Sequence, residues 1–223
     1  MPRRAPAAVA ESREQTVAAA VDLASIEGLE GLTIGRLAGQ LGMSKSGLIG
    51  RFGDKESMQA AVLAAAIERF TEVVWARAQH APAGLERLEL IVDLWIDHLR
   101  EDVFPGGCFV TTASVEYDAR SGRLHDEVAA AVRRWLAVLE SEARRARDAG
   151  DLGADRDPAA VAFELHSLAS GGSVAARLLG EPAGLDRVRA AMRRAVGLPP
   201  TTAARRRSSP SPRPSRRRSA PRA

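Results

Sequence analysis

The sequence predicts an all-α protein of about nine helices, with a small N-terminal head of three helices and a larger C-terminal helical body. Hydrophobic residues make up 45% of the 223 residues, whereas aromatic residues make up only 4%. Strands favour aromatic and β-branched side chains, so this composition favours helices packed through Ala, Leu and Val. Apolar residues also recur at three- and four-residue steps along most of the chain, the spacing of one buried helical face.

The basic character of the chain is concentrated at its C-terminus. The formal net charge is +4, but residues 199–223 contain eight arginines and no acidic residue. Subtracting those eight charges from +4 leaves −4 for residues 1–198. A uniformly basic surface for nucleic acid is therefore excluded for the folded part, and any such surface has to be local.

Cysteine usage and hydropathy indicate a cytoplasmic protein. Cys108 is the single cysteine, so an intramolecular disulfide is excluded and a reducing compartment is favoured. No apolar run approaches the roughly 20 residues that span a bilayer, and the N-terminus lacks the apolar core of a signal peptide. We therefore expect no membrane partner.

Residues 32–58 have the pattern of two short helices joined by a tight turn. Thr33 suits the N-cap of the first helix, and Gly42 suits the left-handed residue that ends it. Ser44 suits the N-cap of a second helix at residues 45–51. Two short helices with a glycine-bearing turn predict a helix-turn-helix, whose second helix enters the DNA major groove.

The second helix also has the composition of a DNA-reading element. Small and hydrogen-bonding residues crowd its first turn, and residues 33–55 carry four basic residues against Asp54 alone. The residues that we predict to contact DNA are Thr33, Ser44, Lys45, Ser46, Gly47, Leu48, Ile49, Arg51 and Lys55. Thr33 and Lys55 are assigned mainly to phosphates.

The run S-K-S-G-L-I-G-R-F-G-D-K-E resembles the signature of the TetR family of bacterial transcriptional regulators. Phe52, Lys55 and Glu56 match the end of that signature, whereas Ile49 stands where the family usually places Tyr or Phe. The resemblance implies a homodimer that binds double-stranded DNA, most often as a repressor released by a small-molecule effector. Two-fold symmetry then predicts a near-palindromic operator with half-sites about 34–36 Å apart.

Apolar periodicity, together with Gly, Pro and Asp residues at the helix ends, predicts seven further helices. They are predicted at residues 12–27, 55–79, 83–100, 108–118, 122–149, 158–179 and 183–196. The corresponding domains are a flexible arm at 1–11, a DNA-binding head at 12–56, a ligand-binding and dimerisation body at 57–198 and a disordered tail at 199–223. In the resemblance, the helix at 55–79 links head to body, so its tilt can carry a signal.

A mixed set of apolar and polar residues lies on the inner faces of four body helices. Regulatory cavities between helices are typically apolar with a few hydrogen-bonding groups. The F-P-G-G-C-F run at 104–109 resembles the regulatory domain of one TetR subgroup, and the family implies an effector cavity here. The predicted lining, with ordinary core packing as the alternative, is Trp95, His98, Phe104, Cys108, Thr111, Thr112, Val115, Trp135, Phe163 and His166.

The helix at 158–179 is rich in small residues and contains the adjacent pair Gly171 and Gly172. Glycine inside a helix costs roughly 1 kcal/mol relative to alanine, so its presence indicates a very close helix contact. We predict half of an intersubunit four-helix bundle, with packing inside one subunit as the alternative. The predicted interface residues are Ala162, Ala169, Gly172, Ser173, Ala176, Leu179, Val188 and Met192.

Signals for catalysis or metal binding are weak, so we predict no enzyme, no cofactor and no metal. The four histidines His80, His98, His125 and His166 have no H-E-x-x-H spacing. A metal site built from His98, His166 and Cys108 is an alternative. Cys108 at a helix start is either a redox-sensing thiol or a buried packing residue.

The two ends of the chain leave a second functional class open. The arginine-rich tail has no apolar periodicity and cannot bury a core, so it is either a non-specific DNA tether or a solvated end. Arg3 and Arg4 at the N-terminus allow the same two interpretations. The alternative to a ligand-responsive repressor is thus a ligand-independent architectural protein that depends on its tail.

Overall fold

The computed structural model describes residues 6–200, with side chains from Arg13 onward. Nine helices and no strand form within this part, which confirms the all-α prediction. The helices are α1 (Pro6–Glu27), α2 (Ile34–Leu41), α3 (Lys45–Phe52), α4 (Lys55–Phe70, continued by Thr71–Trp75 and Ala76–Ala78), α5 (Leu85–Arg100), α6 (Phe109–Tyr117), α7 (Arg123–Asp148), α8 (Pro158–Leu178) and α9 (Gly184–Ala195).

Helix α1 begins at Pro6, six residues before the predicted start. Proline suits the first turn of a helix, and the alanines that follow it have the highest helix propensity, so the segment extends the helix rather than forming an arm. The rest of the predicted arm, including Arg3 and Arg4, lies outside the described residues, as does the tail from residue 201 onward.

The predicted caps of the helix-turn-helix are all present. The Thr33 hydroxyl accepts a hydrogen bond from the Arg36 amide at 3.1 Å, and the Ser44 hydroxyl accepts one from the Gly47 amide at 3.1 Å. Gly42 ends α2 in the left-handed conformation at φ 61°. These caps satisfy backbone groups that a helix terminus leaves without a partner, and so they fix where α2 and α3 begin.

The core of the head continues into the body. Leu37, Leu48 and Met58 are fully buried in one cluster that also contains Phe104 and Phe109, beside and within the start of α6. The Gly106 amide donates to the Ser25 hydroxyl at 2.9 Å, and a Cβ at this position would overlap the Ser25 carbonyl. Glycine therefore lets the 104–109 loop lie directly on the end of α1.

Helix α4 contains a π-helical turn at Thr71–Trp75 that the sequence pattern did not predict. The Thr71 hydroxyl donates to the Ile67 carbonyl at 2.8 Å, just before this turn. Such turns are rare and insert one extra residue into the helical repeat, frequently at functional sites. Here the turn redirects the side chains of α4 at the point where it leaves the head and enters the body.

A second core holds the body together between α5, α7, α8 and α9. It includes Trp95, Leu139, Leu165 and Met192, all at most 3% exposed. At its edge Glu142, only 2% exposed, accepts from the Gly84 amide at 2.8 Å and from the Arg87 guanidinium at 3.0 Å. A buried carboxylate with these partners ties α7 to the start of α5.

Candidate functional site

Helix α3 presents a continuous exposed side. Lys45, Ser46, Gly47 and Gly50 are exposed, and Ile49 is 50% exposed although it is a large apolar residue. Leu48 is fully buried, so its predicted contact with DNA is wrong. The reason is helical register, because Leu48 and Phe52 are one turn apart and both face the core of the head.

The cations around α3 differ in how much they are engaged within the head. Lys55 donates to Glu30 at 2.9 Å, and the Arg51 guanidinium donates to the Thr16 hydroxyl at 2.7 Å. Lys45 has no ion pair among the side chains of residues 13–200, and its stem lies over Gly35 of α2. Lys45 is therefore the cation of α3 best placed to meet a phosphate.

An apolar cavity of about 230 Å³ lies between helices α4 to α8. Its walls are mostly aromatic and aliphatic, and they include Trp75, Trp95 and Trp135, which are all three tryptophans of the chain. The lining residues are Ile67, Phe70, Thr71, Trp75, Trp95, Cys108, Val110, Thr111, Ala131, Val132, Arg134, Trp135, Val138 and His166. An apolar and aromatic lining with a few polar groups is typical of small-molecule sites.

Five of the ten residues predicted to line an effector cavity lie in the wall of this one. Trp95, Cys108, Thr111, Trp135 and His166 line the cavity. Two other predicted residues, His98 and Phe104, are buried beside it, because the His98 ring packs edge-on against Phe70, at 5.3 Å, and against Phe104, at 5.5 Å.

Three predicted lining residues are wrong because they face solvent. Val115 and Phe163 are each 67% exposed, and Thr112 is also exposed. The prediction missed the contribution of α4, namely Ile67, Phe70, Thr71 and Trp75. The signal in the sequence was the pair of aromatic residues Phe70, just before the π-helical turn, and Trp75, its last residue. Periodicity counted with 3.6 residues per turn does not bring these two side chains to one side of the helix.

Two polar atoms in the cavity wall lack a hydrogen-bond partner among the described residues, Trp135 Nε1 and His166 Nδ1. Burial lowers the pKa of His166 below its usual range, so this imidazole is neutral at pH 7. Burial also raises the pKa of the Cys108 thiol, which keeps it protonated and favours the packing alternative over a redox sensor. The interior of the cavity is thus uncharged and contains unused hydrogen-bonding capacity.

Helix α6 runs from this cavity to the head. Its N-terminal end supplies Thr111 to the cavity, and its C-terminal end supplies the Glu116 carboxylate to the turn after α1. That carboxylate accepts from the Leu29 amide at 2.7 Å and from the Glu30 amide at 2.8 Å. The Tyr117 hydroxyl donates to Glu30 at 2.8 Å. Helix α6 therefore joins the cavity to the head in addition to α4.

The hydrogen bonds of Tyr117 and Lys55 meet on the same Glu30 carboxylate. These hydrogen bonds hold the pKa of Glu30 below its usual range, Lys55 contributing most. Burial and the Glu30 carboxylate also raise the pKa of the Tyr117 phenol far above its ordinary value. A residue of α6 and a predicted DNA-contacting lysine thus share one acceptor.

Four of the predicted interface residues are buried inside one subunit. Ala162, Ala169, Ser173 and Met192 are at most 6% exposed, so a second subunit cannot reach them. A Cβ at Gly172 would lie 2.5 Å from Val188 Cγ2, so this glycine serves the close packing of α8 on α9 within the subunit. For Gly172 the alternative of packing within one subunit is therefore correct.

Another side of α8 is exposed and apolar. Phe163, Val174 and Leu178 are 67%, 51% and 80% exposed, and Leu179 beyond the helix is 65% exposed. Gly171 lies between them, with open space where its Cβ would be. The spacing 163, 171, 174 and 178 follows one stripe along a helix. Large apolar residues in such a stripe mark an interaction surface.

The described part of the chain contains no group of three or more His, Cys, Asp or Glu side chains able to hold a metal ion. The alternative metal site of His98, His166 and Cys108 therefore does not assemble there.

None of the described helices is long and apolar enough to cross a membrane.

The fold and these surfaces define a helix-turn-helix regulator with an internal cavity, and comparison with known proteins identifies its family. The family model described as bacterial regulatory proteins, tetR family, matches residues 17–62. The model described as tetracyclin repressor-like, C-terminal domain, matches residues 84–192. Together they cover more than half of the chain, which therefore belongs to the TetR family of transcriptional regulators. No curated protein matches it.

Solved structures share the fold at low sequence identity. A TetR transcriptional regulator from Chloroflexus aurantiacus has a TM-score of 0.77 and 20% identity, over 85% of this chain and 96% of that one. AibR, in complex with isovaleryl coenzyme A and operator DNA, has a TM-score of 0.65 and 21% identity, over 85% and 99%. A cysteine-substituted CifR in complex with a 26-base-pair operator DNA has a TM-score of 0.67 and 23% identity, over 88% and 98%.

Proposed function

We propose that this regulator is a ligand-responsive repressor that acts in the cytoplasm as a homodimer on a near-palindromic operator. The observation that carries the proposal is the pairing of two features in one chain. Helix α3 exposes a small, polar and basic side, and an uncharged cavity lies behind it, joined to the head by α4 and α6. AibR was crystallised with both a small-molecule ligand and operator DNA, which supports the same combination here.

In this proposal α3 lies in the major groove and reads DNA through its exposed side. Lys45 binds a phosphate, Ser46 and Gly47 approach base edges, and Ile49 contacts a thymine methyl group. Thr33, Ser44, Arg51 and Lys55 are kept as secondary contacts at the ends of the two helices. Two such helices in a dimer read two half-sites, so the operator repeats with two-fold symmetry.

The dimer forms through the exposed stripe of α8 rather than through the buried side of that helix. Phe163, Val174, Leu178 and Leu179 supply apolar area, and Gly171 allows two α8 helices to approach closely. Ala176, a predicted interface residue, is half-buried and packs against the core of the body, so it does not belong to this stripe. Two copies packed along the stripe form the helical bundle that holds the heads one DNA turn apart.

Ligand binding alters DNA affinity through α4 and α6, the two helices that contact both the cavity and the DNA-binding head. A ligand against Thr111 shifts α6, whose Glu116 and Tyr117 hold the turn at residues 28–30. A ligand against Phe70 and Thr71 shifts α4 at its π-helical turn. A coupling free energy of about 1–3 kcal/mol, typical of allostery, would change DNA affinity by roughly 5–150-fold.

The proposal is tested by fluorescence anisotropy with labelled DNA from immediately upstream of the gene, in the presence of unlabelled random DNA. Four proteins are compared at two salt concentrations: the full chain, a chain ending at Pro200, Lys45→Ala and Arg133→Ala. The truncation keeps Pro199, whose carbonyl accepts a hydrogen bond from Arg193 at 2.9 Å. Arg133 is an exposed arginine on α7 and serves as the charge-matched control.

A specific regulator gives tight binding by the full chain, the truncated chain and Arg133→Ala, and weaker binding by Lys45→Ala. Loss of one phosphate contact per subunit removes two contacts from the dimer, so it should also reduce the slope of log affinity against log salt by about two units. Binding that is non-specific and disappears with the tail would instead support the architectural protein.

A further inference from the structure

The unused hydrogen-bonding groups of the cavity indicate what kind of molecule fills it. Trp135 Nε1 is a donor only, and it is buried without a partner among residues 6–200. A buried donor without an acceptor costs free energy comparable to a lost hydrogen bond, so a ligand that supplies the acceptor gains that amount on binding. A ligand of this cavity should therefore place a hydrogen-bond acceptor beside Trp135 Nε1.

The rest of the wall favours a flat aromatic body. Phe70, Trp95 and Trp135 already contact one another edge-to-face, with ring centroids 5.1 to 5.9 Å apart. Aromatic rings add to such clusters through further edge-to-face contacts. The volume of about 230 Å³ exceeds the roughly 150 Å³ apolar cavity that is known to bind benzene in another protein, so one or two rings fit.

The charges of the lining residues restrict the ligand further. The interior groups are the Cys108 thiol, the Thr111 hydroxyl and the His166 imidazole, and the low pKa of His166 and the high pKa of Cys108 keep both neutral. Arg134 is the charged lining residue, and it is exposed because it also borders the surface groove between α4 and α7. An ionised group would therefore be desolvated inside and tolerated only at the rim.

We propose that the effector is a neutral aromatic carbonyl compound of one or two rings, whose carbonyl oxygen accepts a hydrogen bond from Trp135 Nε1. This inference rests on the proposed function, because it names the ligand class of the same cavity. His166 Nδ1 is the second group available to the polar end of such a ligand. A coenzyme A thioester would have to leave its phosphates outside the cavity, at the exposed rim.

The test uses three rigid bicyclic probes of matched shape. 1-Indanone carries the aromatic ring and the carbonyl, indane lacks the carbonyl, and the fully saturated indanone lacks the aromatic ring. Affinities are measured with the full chain by isothermal titration calorimetry. Tryptophan fluorescence locates the binding, because all three tryptophans of the chain line the cavity.

We expect 1-indanone to bind about tenfold more tightly than indane, the value of one net hydrogen bond to a buried donor. It should also bind roughly two- to tenfold more tightly than its saturated analogue. Trp135→Phe keeps a ring but removes the donor, so it should abolish the preference for 1-indanone over indane. The comparison of 1-indanone with its saturated analogue tests the requirement for an aromatic ring without any substitution in the protein.

Equal affinity for indane and 1-indanone, absence of binding by 1-indanone, or an equal loss for both probes in Trp135→Phe would overturn the ligand class. The operator titration is run on the same preparation without probes. If the protein binds the operator specifically but binds indane and 1-indanone with equal affinity, the proposed DNA-binding function stands and only the ligand class is rejected. If the protein does not bind DNA specifically, the proposed function is rejected, whatever the relative affinities of the three probes.

Discussion

The contact between α6 and the head can be weakened without changing its shape. In the isosteric substitution Glu116→Gln, one of the two carboxylate oxygens becomes an amide nitrogen. The carboxylate now accepts from two backbone amides, Leu29 at 2.7 Å and Glu30 at 2.8 Å. In the variant the amide oxygen can accept from only one of them, and the other amide faces a donor.

The expected cost follows from that single lost bond. A hydrogen bond to a charged group contributes about 1.5–3 kcal/mol, and the side chain is half-buried, so we expect the free energy of unfolding to fall by about 1–3 kcal/mol. Because Glu116 is the acceptor of both amides, one of the amides of Leu29 and Glu30 should also lose protection from hydrogen exchange. Gln59, whose side chain donates to the Leu29 carbonyl at 2.6 Å, should keep the rest of the turn in place.

The measurements are urea unfolding and native-state amide exchange. Asp118→Asn is the matched control, because Asp118 is two residues away, exposed and subject to the same change of charge. Unchanged protection of both amides in Glu116→Gln, or a loss of stability no greater than in Asp118→Asn, would refute the reasoning. The first result would mean that α6 does not position the head through this carboxylate.

Three further outcomes follow from packing and burial. Gly172→Ala should lower the free energy of unfolding by about 1–3 kcal/mol, because the new Cβ would meet Val188 at 2.5 Å, whereas Gly171→Ala faces open space and should not lower it; equal results by thermal unfolding would contradict this. Burial lowers the pKa of His98 to about 4, so the folded state stays neutral while the unfolded state takes up a proton below its usual pKa of 6.5, and stability falls between pH 6.5 and 4. The contribution of His98 is on the order of 2 kcal/mol between pH 7 and 4.5, and His98→Leu should lack it while keeping the contribution of His166, whose pKa burial also lowers; parallel pH curves for the two proteins would count against it. Leu178→Glu should give a 23.7 kDa monomer in light scattering while Val115→Glu, an exposed apolar site on α6, stays dimeric; a dimer that survives Leu178→Glu would remove the proposed interface.

Local patterns in the sequence determined where the helices lie. Capping residues such as Thr33 and Ser44, a left-handed glycine at position 42 and the three- to four-residue spacing of apolar side chains act within a few residues of one another. They therefore predicted the helix-turn-helix and the seven further helices without knowledge of the tertiary contacts. The family signature around Phe52, Lys55 and Glu56 is local as well.

Tertiary structure alone decided which face of each helix meets which partner. Along α8, small residues occur on every side, so sequence spacing could not tell that Ala169 is buried in the subunit and that Phe163 and Leu178 face out. Each residue turns the side chain by about 100° around the helix axis, and a small error in rotation exchanges core for surface.

The same holds for the functional contacts between distant segments. Glu116 lies 87 residues from Leu29, and no periodicity relates the two. The π-helical turn in α4 adds a residue to the repeat and so brings Phe70 and Trp75 to one cavity against the regular pattern. Sequence determines each helix through short-range interactions. The cavity, the burial of Trp135 Nε1 without a partner among residues 6–200, and the link from α6 to the head arise only when the helices pack together.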